Sequence, residues 1–107
     1  MIDMTDLILD KDGYLADLSH WNETVAHQLA ANHNVELTKK HWEIIQLLRQ
    51  FYSEFDHAPS QRPFVKYIAS HLGKDKGNSM YLMKLFPESP AKLAALIAGL
   101  PRPTNCF

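Results

Sequence analysis

Cysteine is nearly absent from this chain: its 107 residues include one, Cys106, the second-to-last. A single thiol excludes an intramolecular disulfide by count. Only Phe107 follows it, so the three residues that a prenylation box places after its cysteine are missing as well. An excess of one charge is also lacking. Eleven basic residues stand against 12 acidic ones, and the net charge of −1 gives no general attraction to nucleic acid. No apolar run approaches the ~20 residues of a membrane-spanning helix, so no membrane contact is expected. The start, Met1-Ile2-Asp3-Met4-Thr5-Asp6, lacks the basic and apolar segments of a secretory signal. These absences predict a cytoplasmic protein whose thiol stays reduced. The histidines (His20, His27, His33, His41, His57, His71) are spread singly, without metal-ligand spacing. Neither a metal nor a cofactor is expected.

What is present is the composition of a globular domain, 46% hydrophobic and 21% charged. At this length one core can form, but not a core plus a deep enclosed catalytic site. Leu7-Ile8-Leu9 and Tyr14-Leu15 flank Asp10-Lys11-Asp12-Gly13, which reads as a short β-hairpin. Ser19 or Asn22 caps a first helix through about His33, with Trp21, Val25, Ala26 and Leu29 on one face. Thr38 caps a second, ending near Phe55. Its stripe of Trp42, Ile45, Leu48, Tyr52 and Phe55, widened by Ile44, Leu47 and Phe51, makes it the central helix. A third runs from Gln61 to Leu72, burying Phe64 or Val65 with Ile68 and Leu72, and stops at Gly73. Asn78 or Ser79 caps a fourth over Met80 to Leu85. Ser89-Pro90 starts a fifth, closed by Gly99. The expectation is mainly α: a compact bundle of about five helices in a single domain over 1–107, with a hairpin region at 1–18, a helical core at 19–98 and a cysteine arm at 99–107.

The arm carries the chemistry. A lone cysteine is more often a small buried hydrophobe, but a thiol at a chain end after Pro101-Arg102-Pro103 is placed to enter another molecule's site. A thiol nucleophile, a sulfur carrier and an accidental surface cysteine all fit the residues alone. Arg102 favours the thiolate, though weakly in a solvated tail. Pro101 and Pro103 reduce the entropy lost when the arm is ordered on docking. Other constellations read as structure. The two helices around Gly73-Lys74-Asp75-Lys76-Gly77-Asn78 resemble a helix-turn-helix, but the second offers few groups for base edges, so direct DNA recognition is disfavoured. Arg49, Glu54, Arg62 and Lys66 read as a solvated face near the arm. Trp21 and Trp42 read as core aromatics, and His41 as structural rather than as an acid or base.

A set of motifs in order along nearly the whole chain resembles the DsrC/TusE family. They are Gly13-Tyr14-Leu15, Trp21, His41-Trp42-Glu43, Phe51-Tyr52, Gly77-Asn78-Ser79, Tyr81-Leu82, Leu85-Phe86-Pro87, Pro90-Ala91-Lys92 and Ala98 through Cys106. The resemblance implies a small helical fold with an N-terminal hairpin and a mobile C-terminal arm. Members that work with dissimilatory sulfite reductase carry a second cysteine eleven positions before the penultimate one. That position here is Ala95, which moves the resemblance to the TusE branch. It implies a sulfurtransferase whose catalytic Cys106 accepts a persulfide from a TusBCD-type complex. The sulfur then passes to an MnmA-type tRNA thiouridylase for 2-thiouridine at the wobble position. Gly99, Leu100, Pro101, Arg102 and Pro103 would set the arm's reach and partner fit. Two other classes compete: a single-cysteine DsrC-like regulatory or DNA-binding module, and a structural subunit of a redox complex.

Overall fold

The computed structural model of the protein describes Leu9 and residues 13–103, with the backbone alone for Leu18. After a 3-10 turn at Leu18–His20 come α1 (Glu23–Ala31), α2 (Lys39–Phe55), α3 (Gln61–Leu72), α4 (Ser79–Leu85) and α5 (Pro90–Ile97). The fold is mainly helical, with five α-helices among the described residues. Of the expected hairpin, the isolated antiparallel bridge between Leu9 and Leu15 is seen. The rest of that expectation lies outside the described residues.

Local chemistry sets the helix ends. Asn22 and Asn78 cap α1 and α4 by accepting the Val25 and Tyr81 N–H groups. The Thr38 N–H at the head of α2 donates to His41 Nδ1 at 3.1 Å. Pro90 opens α5, where its missing N–H costs no helical bond. The α1 helix proper stops at Ala31 rather than at about His33. The chain nevertheless keeps turning through His33 and is closed by Asn34 at φ 61°. Asn34 N–H bonds the Ala31 carbonyl at 3.1 Å and Val35 N–H that of Ala30 at 2.9 Å, the paired bonds of a Schellman termination.

The core is built around α5, which contacts each of the other four helices. Its small residues Ala91, Ala94, Ala95 and Ala98 let those helices approach closely. Phe64, Phe86, Leu29, Ile44, Leu48 and Ile68 fill the space around it. Central position therefore belongs to α5, a correction to the reading that gave it to α2. The α2 stripe holds for Ile44, Ile45, Leu48 and Phe51, but Phe55 is 52% exposed. The 17 residues of α2 span about 25 Å against about 12 Å for the eight of α5, so the longer helix carries its last turn past the shared core. Leu72 is likewise half-buried rather than buried.

Candidate functional site

The C-terminal segment begins where α5 ends. Ala98 caps the helix, and Gly99 turns the chain at φ 74°. Gly99 N–H then bonds the Leu96 carbonyl at 3.1 Å, and Leu100 N–H bonds that of Ala95 at 2.9 Å. This Schellman termination satisfies two of the carbonyls that a helix end leaves without partners. Leu100, buried to 2% exposure, supplies the apolar contact that accompanies it.

The next two carbonyls are satisfied by side chains from far along the chain. Trp21 Nε1 donates to Ile97 O at 2.9 Å, and Arg49 Nη1 donates to Ala98 O at 2.6 Å. The Arg49 guanidinium carbon also lies 3.9 Å from the centroid of the Trp21 ring, a cation–π stack. Burial pushes Arg49 below its ordinary pKa, but a guanidinium stays cationic at neutral pH. Its positive charge therefore sits at the negative end of the α5 dipole. From Ala94 to Ala98, every carbonyl at this end has a partner. A side chain at position 99 would collide with Trp21, so glycine is required there by space as well as by its positive φ.

The opposite end of α5 is held from outside as well. Ser89 makes no side-chain cap bond, and Gln61 at the head of α3 accepts the Ala91 N–H at 3.2 Å. Tyr14 OH donates to the Lys92 carbonyl at 3.3 Å.

From Gly99 the chain folds back toward the start of α5. Pro101 is half-buried, Arg102 exposed and Pro103 buried. The Arg102 guanidinium carbon lies 5.8 Å from the Tyr14 ring centroid. A cleft of about 640 Å³ lies on one side, lined by Tyr14, His33, Lys92 and Arg102 among others. A second, of about 410 Å³, is lined by Gln61, Met83, Pro90, Ala91 and Pro103 among others. Glu88, Ser89 and Lys92 border both clefts. Cys106 itself lies outside the described residues.

Other residues singled out in the sequence fall as follows. Ala95 is fully buried on α5. His41 is buried, accepting from the Thr38 N–H through Nδ1 and donating through Nε2 to Leu85 O at 2.9 Å. Desolvation holds its pKa below the usual histidine value, against the opposing effect of the Leu85 carbonyl. It is a structural group, as expected. Trp42 is half-buried against the core. Glu54, Arg62 and Lys66 are exposed, but Arg49 leaves the solvated face in which it was grouped with them. The bonds of Arg49 and Trp21 at the end of α5 are not legible in the sequence, because they are long-range bonds to backbone carbonyls, which no side-chain pattern announces. Among the described residues no group of three or more acidic, histidine or cysteine side chains is placed to hold a metal.

A helical body built around α5, whose closed end leads into the C-terminal segment, defines the class. The chain belongs to the DsrC-like family: the model described as "DsrC like protein" matches residues 1–107. Its fold is similar to DsrC from Allochromatium vinosum, with a TM-score of 0.85 and 48% identity over 94% of this chain and 90% of that one. It is also similar to the oxidized gamma-subunit of dissimilatory sulfite reductase (DsrC) from Archaeoglobus fulgidus. There the TM-score is 0.81 with 43% identity, covering 94% of this chain and 92% of that one. Within the family, curated relatives carry the name sulfurtransferase TusE. The one from Salmonella typhimurium is 46% identical over 95% of this chain and 94% of its own length. The TusE homolog from Haemophilus influenzae is 52% identical over 92% and 90%. The chain is accordingly a sulfurtransferase, a carrier within a sulfur relay.

Proposed function

We propose that Cys106 is the covalent centre of this relay and that the sulfur it carries is destined for tRNA. The observation that carries the reading is the cysteine count: one thiol, at 106, with a buried alanine at position 95. A chain with one cysteine can form no internal disulfide, but it can hold a persulfide.

The Cys106 thiolate attacks the outer, sulfane sulfur of a persulfide on the donor. The new S–S bond forms as the donor's S–S bond breaks, and the donor cysteine leaves as its thiolate. Cys106 becomes Cys-S-SH with no net oxidation. In the second step a thiolate on the acceptor attacks that outer sulfur, and Cys106 departs as the thiolate. The donor in this reading is a TusBCD-type complex, and the acceptor an MnmA-type thiouridylase with bound tRNA. The product is 2-thiouridine at the wobble position. Both exchanges take place in the cytoplasm, where thiols remain reduced. The chain acts as one domain, with its hairpin region at 1–18, helical core at 19–98 and arm at 99–107. Gly99 and Leu100 fix the arm to the body, while Pro101, Arg102 and Pro103 set how it meets a partner.

The test is a reconstituted relay of cysteine desulfurase, upstream carriers, this protein, thiouridylase, ATP and unmodified tRNA, read as 2-thiouridine by nucleoside mass spectrometry. The wild-type chain should raise thiolation well above the level without it, and Cys106→Ser should return it to that level. Full thiolation by Cys106→Ser would contradict the reading. Deleting Pro101 to Pro103 should leave the thiol reactive toward small reagents yet stop transfer.

A further inference from the structure

The buried end of α5 is closed by two distant side chains as well as by its own backbone turn. A Schellman termination with an apolar contact suffices to end a helix. That termination is complete here, from Gly99 and Leu100 to Leu96 and Ala95. Beyond it, a half-buried guanidinium and an indole are committed to the Ala98 and Ile97 carbonyls and stacked on each other. Removing a guanidinium from water is costly unless it gains a partner. Arg49 belongs to the middle of α2 and Trp21 to the segment before α1, so the stack ties two other parts of the body to two consecutive peptide groups at the end of α5.

We propose that Arg49, through its bond to Ala98 and its stack on Trp21, is a positioning residue for sulfur transfer. It fixes the direction in which the arm leaves α5 and so where the thiol is delivered. This rests on the reading of Cys106 given above. Cys106 lies three residues beyond the buried Pro103, a reach of up to about 10 Å, so the path the chain takes from the α5 end to Pro103 sets the region the sulfur can sample. Docking of an arm from a preset root loses less entropy than docking of one that must first find its direction.

The test uses the full chain with Arg49→Met, which keeps most of the stem without charge or donor, and Arg49→Lys, which keeps the charge without the planar fork. Cys106 is loaded in one arm of the experiment by sodium polysulfide, which needs no docking. In the other it is loaded by the persulfide-charged TusBCD-type complex. Amide hydrogen exchange at Gly99 and Leu100 is followed in parallel. Arg49→Met should load from polysulfide at the wild-type rate, lose about 10- to 100-fold in kcat/KM with the protein donor, and exchange faster at both amides. Arg49→Lys should fall between the two. If Arg49→Met does not fold, the lysine variant and Trp21→Phe, which keeps a ring beneath the guanidinium but loses the indole N–H, carry the same test. Wild-type transfer from the protein donor in a folded Arg49 variant would overturn the proposal. So would an equal loss with both donors, which indicates general damage. A wild-type protein that loads from neither donor would instead overturn the assignment of Cys106.

Discussion

Two helices of this protein end in the same backbone motif. At the end of α1, Asn34 and Val35 donate to Ala31 and Ala30 at 3.1 and 2.9 Å; at the end of α5, Gly99 and Leu100 donate to Leu96 and Ala95 at the same two distances. The turning residues have φ of 61° and 74°. Their surroundings differ completely. Asn34 is exposed, and its side chain has water to occupy, whereas Gly99 is buried against Trp21. The α1 end leads into an ordinary connection to α2. The α5 end leads into the C-terminal segment, and there two distant side chains close the carbonyls that remain. Equal backbone hydrogen bonding thus says little about how firmly an exit direction is held.

Exchanging the two turning residues breaks the comparison most sharply. Asparagine tolerates the left-handed region better than most side chains, so Gly99→Asn tests mainly the effect of space. It should destabilise by about 2–4 kcal/mol, combining overpacking against Trp21 with modest backbone strain. Denaturant midpoints would show it, and a loss under about 0.5 kcal/mol would mean that Trp21 moves aside freely.

Trp21→Phe is expected to cost less, about 1–3 kcal/mol, because it leaves the buried Ile97 carbonyl without its donor. Hydrogen exchange should show the loss at the α5 end and leave the amides of Asn34 and Val35 unchanged.

A third termination sharpens the contrast, since the seal on α4 is a group that titrates. His41 donates to the Leu85 carbonyl, and its folded pKa is held below the ordinary 6.5 by desolvation. The unfolded chain therefore binds the proton more readily, and His41's contribution is complete above 6.5 and lost progressively as pH falls through that value toward the folded pKa. Denaturation at about pH 7.5 and about pH 5.5 should show lower stability at the acid end, reduced in slope by His41→Gln. The Arg49 seal, cationic throughout, should show no such dependence. A wild-type slope retained in His41→Gln would place the titration elsewhere.

The reverse exchange, Asn34→Gly, should be the smallest effect, within about 0.5 kcal/mol of zero. The position needs only a residue that accepts positive φ, and nothing of the core is lost.

The same contrast explains what could be read in the chain beforehand. Asn22, Thr38, Asn78, Ser89-Pro90, Gly73 and Gly99 mark helix ends through chemistry confined to a few residues, and the helices follow them closely. Residues 61–72 appear as a helix with those same bounds. Burial within α2 was legible as a period, but not where the shared core stops, which depends on the length of α5. Leu100 and Pro103 turn inward, and no local pattern marks them. Least legible was Arg49, one of several charges at helical spacing until a carbonyl 49 residues away selects it. The role proposed for Cys106 rests on its position and its solitude in the sequence, since it lies outside the described residues.

The most direct measurement is intact-protein mass spectrometry after incubation with cysteine desulfurase and loaded upstream carriers, comparing wild type with Cys106→Ser. A gain of one sulfur mass is expected on the wild-type chain, removed by thiol reductant and absent from the variant. No gain on the wild type with the donors shown to be loaded, or the same gain on Cys106→Ser, would contradict it.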